Sequence, residues 1–366
     1  MSTQKYKFVM LQVVKPRTSM ETAIEEMKEA EALVETFGGE VVERSIQHRS
    51  DPNPATYIGG GKIEWLSEVV KEKKIDVVVL NDVVRSGQLF RLEQALWPVN
   101  RLIKVWDRVG LILSIFDLHA KTREAKLQIE LARIKHIGPR VYGLGGTVLS
   151  KQGGGIGTRG AGETNIELEQ RHIKRRVQQI EKELAQKTRL QQDRMNDRKR
   201  SGVQTAALVG YTSAGKTTLF NVLTGREKQE NPKLFTTLDS VVGKIKFPEF
   251  VKDVIISDTI GFIEGLPPEL IQAFRSTLME SVQADTLLHV IDASDPKFAQ
   301  KIIVVEDILT TLGVKAEPIL VFTKIDRIDK AALLAMKTEY KNKKTAFVSS
   351  QNQEGIDTLR RLLSAR

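Results

Sequence analysis

The chain has 366 residues, 41% of them hydrophobic and 28% charged, and contains no cysteine. That length and apolar content suit two or three domains with sizeable cores, and the lack of cysteine excludes disulfides and thiolate metal sites, as suits a reducing compartment. The net charge is +10, but residues 171–200 alone contribute +7 of it, against +2 from residues 1–170 and +1 from residues 201–366; such a local field is the footprint of a polyanion-binding surface, with a solvated helix face as the plain alternative.

No apolar run approaches the ~18 residues of a membrane span, and the N-terminus lacks a charged segment followed by a long apolar one. The expectation is a soluble, cytoplasmic protein with no membrane and no DNA partner.

The first hundred residues alternate in the α/β manner. KFVMLQVV, GEVVERSI, IDVVVLN and NRLIKVW read as strands, and ETAIEEMKEAEALVETFGG, GKIEWLSEVVKEKK and SGQLFRLEQAL as helices. The first helix spaces Ala23, Met27, Ala30 and Val34 along one face and stops at Gly38 and Gly39. The pattern predicts a small, mostly parallel sheet covered by helices over residues 1–106. Within it, YIGGGK (57–62) could offer a helix N-terminus to phosphate, though it lacks the spacing of a phosphate loop and a plain turn fits better.

Residues 107–200 change character. LILSIFDLHAKTREAKLQIELARIKHIG reads as one long helix with Leu127, Leu131 and Ile134 on a seam, ending at Gly138-Pro139. A second long helix is predicted from a Thr164-x-x-Glu167 capping box, with Ile173, Val177, Ile180 and Leu184 as its seam. Two such helices joined by one connection form an antiparallel helical hairpin. Beyond Leu184 the seam positions are Lys187, Gln191 and Arg194, so that end is expected to be exposed and basic. The connection is glycine-rich; Gly155-x-Gly157-x-x-Gly160 matches a dinucleotide fingerprint but follows no strand and opens no βαβ unit. Two descriptions fit it equally, a mobile loop or a phosphate- or RNA-contacting tip armed with Lys151 and Arg159.

Residues 201–366 carry the chemistry. After the apolar TAALV, GYTSAGKT satisfies GxxxxGK[ST] at every fixed position. Gly210, Tyr211, Thr212, Ser213, Ala214 and Gly215 would curl backbone N–H groups round a β-phosphate, Lys216 would neutralise the β- and γ-phosphates, and Thr217 and Thr218 open a helix aimed at the same anion. The Thr217 hydroxyl would hold Mg²⁺. Phe235-Thr236-Thr237 lies where a mobile segment would bring a threonine to Mg²⁺ and the γ-phosphate. Asp258 ends an apolar strand as a further Mg²⁺ ligand, followed by Gly261 as a γ-phosphate sensor. Thr323, Lys324 and Asp326 end another buried strand, where the Asp326 carboxylate can accept from guanine N1–H and its exocyclic amine together. Ser349 and Ser350 end the last strand, with backbone N–H groups for the base oxygen. Four signals in order, each after its own strand, imply binding of GTP and GDP with Mg²⁺.

The order of blocks also identifies a family. YIGGGK, TREAKLQIELARIKH, GGGIGTRGAGETNIE, GYTSAGKTTLFNVLTG, FTTLD and DTIGF resemble the HflX family of ribosome-associated GTPases over nearly the whole chain. The resemblance implies a C-terminal P-loop GTPase domain (201–366) preceded by a small α/β subdomain (1–106) and the helical hairpin (107–200), with the large ribosomal subunit and its RNA as partner. It also carries Lys216, Thr217, Thr237, Asp258 and Asp326 into their phosphate, Mg²⁺ and guanine roles.

Two positions depart from the usual GTPase pattern. Thr323 stands where the guanine motif has asparagine, so one amide contact is lost or replaced by a hydroxyl. Phe262 follows Gly261 where self-sufficient GTPases place a water-orienting glutamine, so no catalytic residue is assigned and hydrolysis is expected to be slow unless stimulated. Other classes that fit parts of the pattern are an RNA-remodelling NTPase, against which there is no second phosphate loop, and a signalling GTPase with a protein partner.

Overall fold

A computed structural model describes the backbone of residues 5–148, 161–226, 241–245, 247, 254–263, 270, 283–314 and 316–364; the side chains of 139–148, 161–169, 191, 194–196, 198 and 199 fall outside that description. The chain forms two compact units, one comprising Met1–Leu118 with Lys126–Glu183 and the other His119–Ala125 with Leu184–Arg366.

In the first unit, strands β1 (Lys7–Val14), β2 (Glu40–His48), β3 (Val77–Leu80) and β4 (Lys104–Asp107) form a sheet in the order β2-β1-β3-β4. All three pairings are parallel. Helices α1 (Met20–Phe37), α2 (Gly60–Lys73) and α3 (Ser86–Leu96) connect them. The ends of α1 follow from its sequence: the Ser19 side chain accepts from Thr22 N–H, and Gly38, at φ 94°, closes the helix by donating back to its last carbonyls. Because strand side chains alternate, Val9 and Leu11 join a core with Leu66, Val70, Val78, Leu80 and Leu92, while Phe8 meets Phe37 and Trp106 in edge-on and tilted contacts.

The long helix expected from residue 111 is two helices, α4 (Arg108–His119) and α5 (Arg123–Val148). The break falls at Ala120–Thr122, where the Thr122 hydroxyl accepts from Ala125 N–H and so caps a new start. Helix α5 also runs on through Gly138-Pro139, since a proline forfeits one ladder bond without having to end a helix. Helix α6 (Ala161–Arg200) is helical from Ala161, so Thr164 lies inside it and not at its N-cap. Arg176 forms a two-pronged ion pair with Glu130, at 2.6 and 2.7 Å, and Lys135 pairs with Glu181 at 3.1 Å, tying α5 to α6. Most of the glycine-rich connection, with Lys151 and Arg159, lies outside the described residues.

In the second unit, β5 (Gln204–Gly210), β6 (Val241–Lys244), β7 (Val254–Asp258), β8 (Thr286–Asp292), β9 (Ile319–Thr323) and β10 (Thr345–Phe347) form a sheet ordered β10-β9-β8-β5-β7-β6. Among the described residues, the edge strand β6 alone pairs antiparallel, with β7. Helices α7 (Lys216–Thr224), α8 (Phe298–Thr311), α9 (Lys330–Glu339) and α10 (Ile356–Ser364) accompany it. One core joins Leu208, Phe220, Leu288, Val290, Val321 and Leu359, and another Ile291, Ile302, Leu320, Phe322 and Met336. The sheet grows outward from β5 in both directions, so the crevice at the carboxyl end of β5 is its topological switch point, where α/β sheets take ligands.

The buried Asp107 carboxylate at the end of β4 accepts from Val84 N–H (3.1 Å), Gly110 N–H (2.8 Å) and His136 Nε2 (2.8 Å), which fastens α5 to the sheet. Replacing Asp107 by alanine strands these donors and is expected to cost about 3 kcal/mol. All three tryptophans, Trp65, Trp97 and Trp106, lie in this unit, so urea unfolding followed by tryptophan fluorescence checks it; an unchanged midpoint would refute the anchoring role.

Candidate functional site

The GYTSAGKT segment is a strand-to-helix loop between β5 and α7, at the switch point. Its glycines are required by geometry. Gly210 has φ 151°, and a Cβ there would lie 2.3 Å from the Val290 carbonyl oxygen; Gly215, at φ 90°, is the N-cap of α7. Ser213 adopts a left-handed φ of 61°, a conformation held only where the surroundings fix it.

Lys216 is almost wholly buried, and its ammonium donates to the carbonyls of Gly210 (3.0 Å) and Tyr211 (2.8 Å). Burial pushes its pKa down to about 8, against the opposing pull of Asp258. The Thr217 hydroxyl lies 2.8 Å from Asp258 Oδ2. One hydroxyl and one carboxylate suit Mg²⁺, which binds through one or two protein oxygens and completes its shell with phosphates and water. Thr259 holds the turn by donating to the Leu208 carbonyl at 2.6 Å. Gly261 packs so closely on the loop that a Cβ would sit 2.9 Å from Thr212 and 3.0 Å from Lys216 Nζ. Phe262 is stitched to the same loop: its N–H donates to Gly210 and its carbonyl accepts from Thr212 N–H, at 3.0 and 2.7 Å. Its ring is buried. Phe235, Thr236 and Thr237 lie outside the described residues.

The strand ends of β9 and β10 supply the other side. The Thr323 hydroxyl is buried and shares its one proton between the carbonyls of Ala214 (2.7 Å) and Ile291 (3.0 Å), so it braces the phosphate loop in place of presenting a contact to a base. Lys324, at φ 56°, donates to the Ser213 carbonyl (2.8 Å) and to Asp292 (2.6 Å). Asp326 is exposed, with one carboxylate oxygen accepting from the Ser349 hydroxyl at 2.6 Å. The N–H of Ser349 is committed to the Glu354 carbonyl at 2.9 Å. Of the two N–H groups expected to meet a base, that one is therefore spent within the fold, and Ser349 acts through its hydroxyl. Sequence reasoning missed Asp292, although it ends an apolar strand just as Asp258 does. Lys324 and Ser294 hydrogen-bond its carboxylate and hold its pKa below the usual carboxylate range, against the desolvation that raises it.

A strand-ended phosphate loop, a facing carboxylate and a TKxD strand end on this sheet order define a P-loop GTPase. Residues 24–117, 119–200 and 205–324 match the families described as GTP-binding GTPase N-terminal, GTP-binding GTPase Middle Region and 50S ribosome-binding GTPase. The chain belongs to the HflX family of GTPases, which hydrolyse GTP to GDP and phosphate. It is 41% identical to GTPase HflX of Caldanaerobacter subterraneus subsp. tengcongensis over 92% of this chain and 75% of that one. It is 36% identical to the Escherichia coli GTPase HflX over 94% and 79%. Among solved structures, the complex of SsGBP with GDP superposes with a TM-score of 0.54 at 26% identity, covering 98% of each chain. A GTP-binding protein from Sulfolobus solfataricus in complex with GDP shares the fold, with a TM-score of 0.50 at 24% identity over 98% of both.

Two outcomes are expected. Binding of an anion favours charged Lys216, so GDP affinity should be flat below pH 8 and fall above it by up to about tenfold per pH unit; titrations between pH 7 and 9 on the parent and Lys216→Ala check this, and a flat parent profile contradicts it. Asp326→Asn puts a donor where guanine also donates, so the preference for GDP over ADP should drop about ten- to a hundredfold, as measured by competition binding.

Proposed function

We propose that this GTPase docks on the large ribosomal subunit, contacts its RNA through α6, and uses its nucleotide state to govern docking and so to split, rescue or silence ribosomes in the cytoplasm. Mg²⁺ would be held by Thr217 and Asp258, with Thr237 as a further ligand, and would screen the phosphate charge. The guanine base would be read by Asp326, oriented by Ser349, with the Ser350 N–H for the base oxygen; Lys324 and Thr323 support the phosphate loop.

The observation that carries the proposal is the face of α6. At about 100° per residue, Lys174, Arg175, Lys182 and Arg189 fall within roughly a third of its circumference, on the side opposite the buried Ile180, and all four are exposed. From Lys174 to Arg189 they span ~22 Å at 1.5 Å per residue, a row suited to successive phosphates. The 50S ribosome-binding family that matches residues 205–324 points to the same partner. Arg176 does not belong to this row, because Glu130 already engages it.

Phe262 explains why a partner is needed. A buried phenyl ring neither accepts a proton nor orients a water, so intrinsic hydrolysis should run at about 10⁻⁴ to 10⁻² per second.

Changing Lys174, Arg175, Lys182 and Arg189 together to glutamine should abolish or greatly weaken co-sedimentation with large subunits and lower the slope of log affinity against log salt by up to about four. GTP binding should be unaffected. Undiminished, salt-insensitive sedimentation would favour a protein partner instead.

A further inference from the structure

Helix α8 carries a group that reaches the phosphate loop from behind. The Lys301 ammonium lies 4.5 Å from the centre of the Tyr211 ring and is ion-paired to Asp295. Asp295 is itself fixed by the turn preceding α8, where its other oxygen accepts from Lys297 N–H at 2.8 Å. Tyr211 is the second residue of the phosphate loop, and its ring is buried. The same residue's carbonyl receives Lys216 Nζ at 2.8 Å, and its backbone forms a parallel bridge with Phe262. A small pocket of about 70 Å³, lined by Tyr211, Thr212, His289, Phe298, Lys301 and Ile302 among others, adjoins the ring. The Lys301 cation over its face is a direct contact between α8 and the second residue of the phosphate loop.

We propose that Lys301 is a positioning residue for GTP binding: held by Asp295, its ammonium pins the Tyr211 ring, and through it the backbone carbonyl that orients the Lys216 ammonium toward the nucleotide phosphates. Lys301 touches no nucleotide. It acts through Tyr211, so its loss loosens the phosphate grip and leaves base recognition alone. The proposal rests on the assignment of Lys216 and its loop as the phosphate site.

The test is stopped-flow dissociation of a fluorescent GDP from the full chain, alongside competition by ADP. A cation–π contact of this kind is worth a factor of about two to thirty in affinity. Lys301→Met is therefore expected to release GDP about two to thirty times faster, with thermal unfolding and the preference for GDP over ADP unchanged. Lys301→Arg, which also stacks a cation on the ring, should restore slow release. Tyr211→Leu should match Lys301→Met, and the double variant Lys301→Met, Tyr211→Leu should be no faster than either alone. Additive effects in the double variant, or parental release by Lys301→Met, would overturn the proposal. Lys216→Ala is measured beside them. If it retains GDP within a few-fold, the phosphate-site assignment itself fails; if it loses GDP while Lys301→Met does not, only the role of Lys301 falls.

Discussion

The GTPase unit depends on one buried ammonium. Lys216 is taken almost wholly out of water, and an isolated charge there would be prohibitive. Two backbone carbonyls, those of Gly210 and Tyr211, make it tolerable. They can do so only because Gly210 and Ser213 accept backbone angles that turn the loop round the lysine. The residual penalty shows as a pKa near 8, and an incoming phosphate relieves it. The site is thus prepared for an anion before one arrives.

Several elements converge on that loop from different strands. Thr323 and Lys324 take hold of the Ala214 and Ser213 carbonyls from the end of β9. Phe262 pairs with Gly210 and Thr212 from the end of β7. The end of β9, the phosphate loop and the segment after Asp258 are therefore joined by hydrogen bonds to the loop backbone.

Much of this was legible in the sequence because the phosphate-loop pattern encodes backbone geometry directly: its glycines stand where positive φ or close approach is required. The strand ends at Asp258 and Thr323 were legible for a similar reason, each closing a run of apolar residues. What could not be read was how donors are spent. That the Thr323 hydroxyl serves Ala214, 109 residues away, or that the Ser349 N–H is taken by Glu354, depends on neighbours that only the folded sheet supplies. The same holds for Arg176, which looks like one more charge of a basic run until Glu130, 46 residues distant, claims it. The break between α4 and α5 was missed because the apolar spacing continues across it while the cap at Thr122 is local.

We propose that Phe262, a buried phenyl ring, leaves the attacking water to be oriented by a group on the partner. Single-turnover GTP hydrolysis, with and without purified large ribosomal subunits, tests this most directly. The account predicts stimulation of tenfold or more, equivalent to about 1.4 kcal/mol off the barrier. An unchanged rate on subunits to which the protein is shown to bind would contradict it.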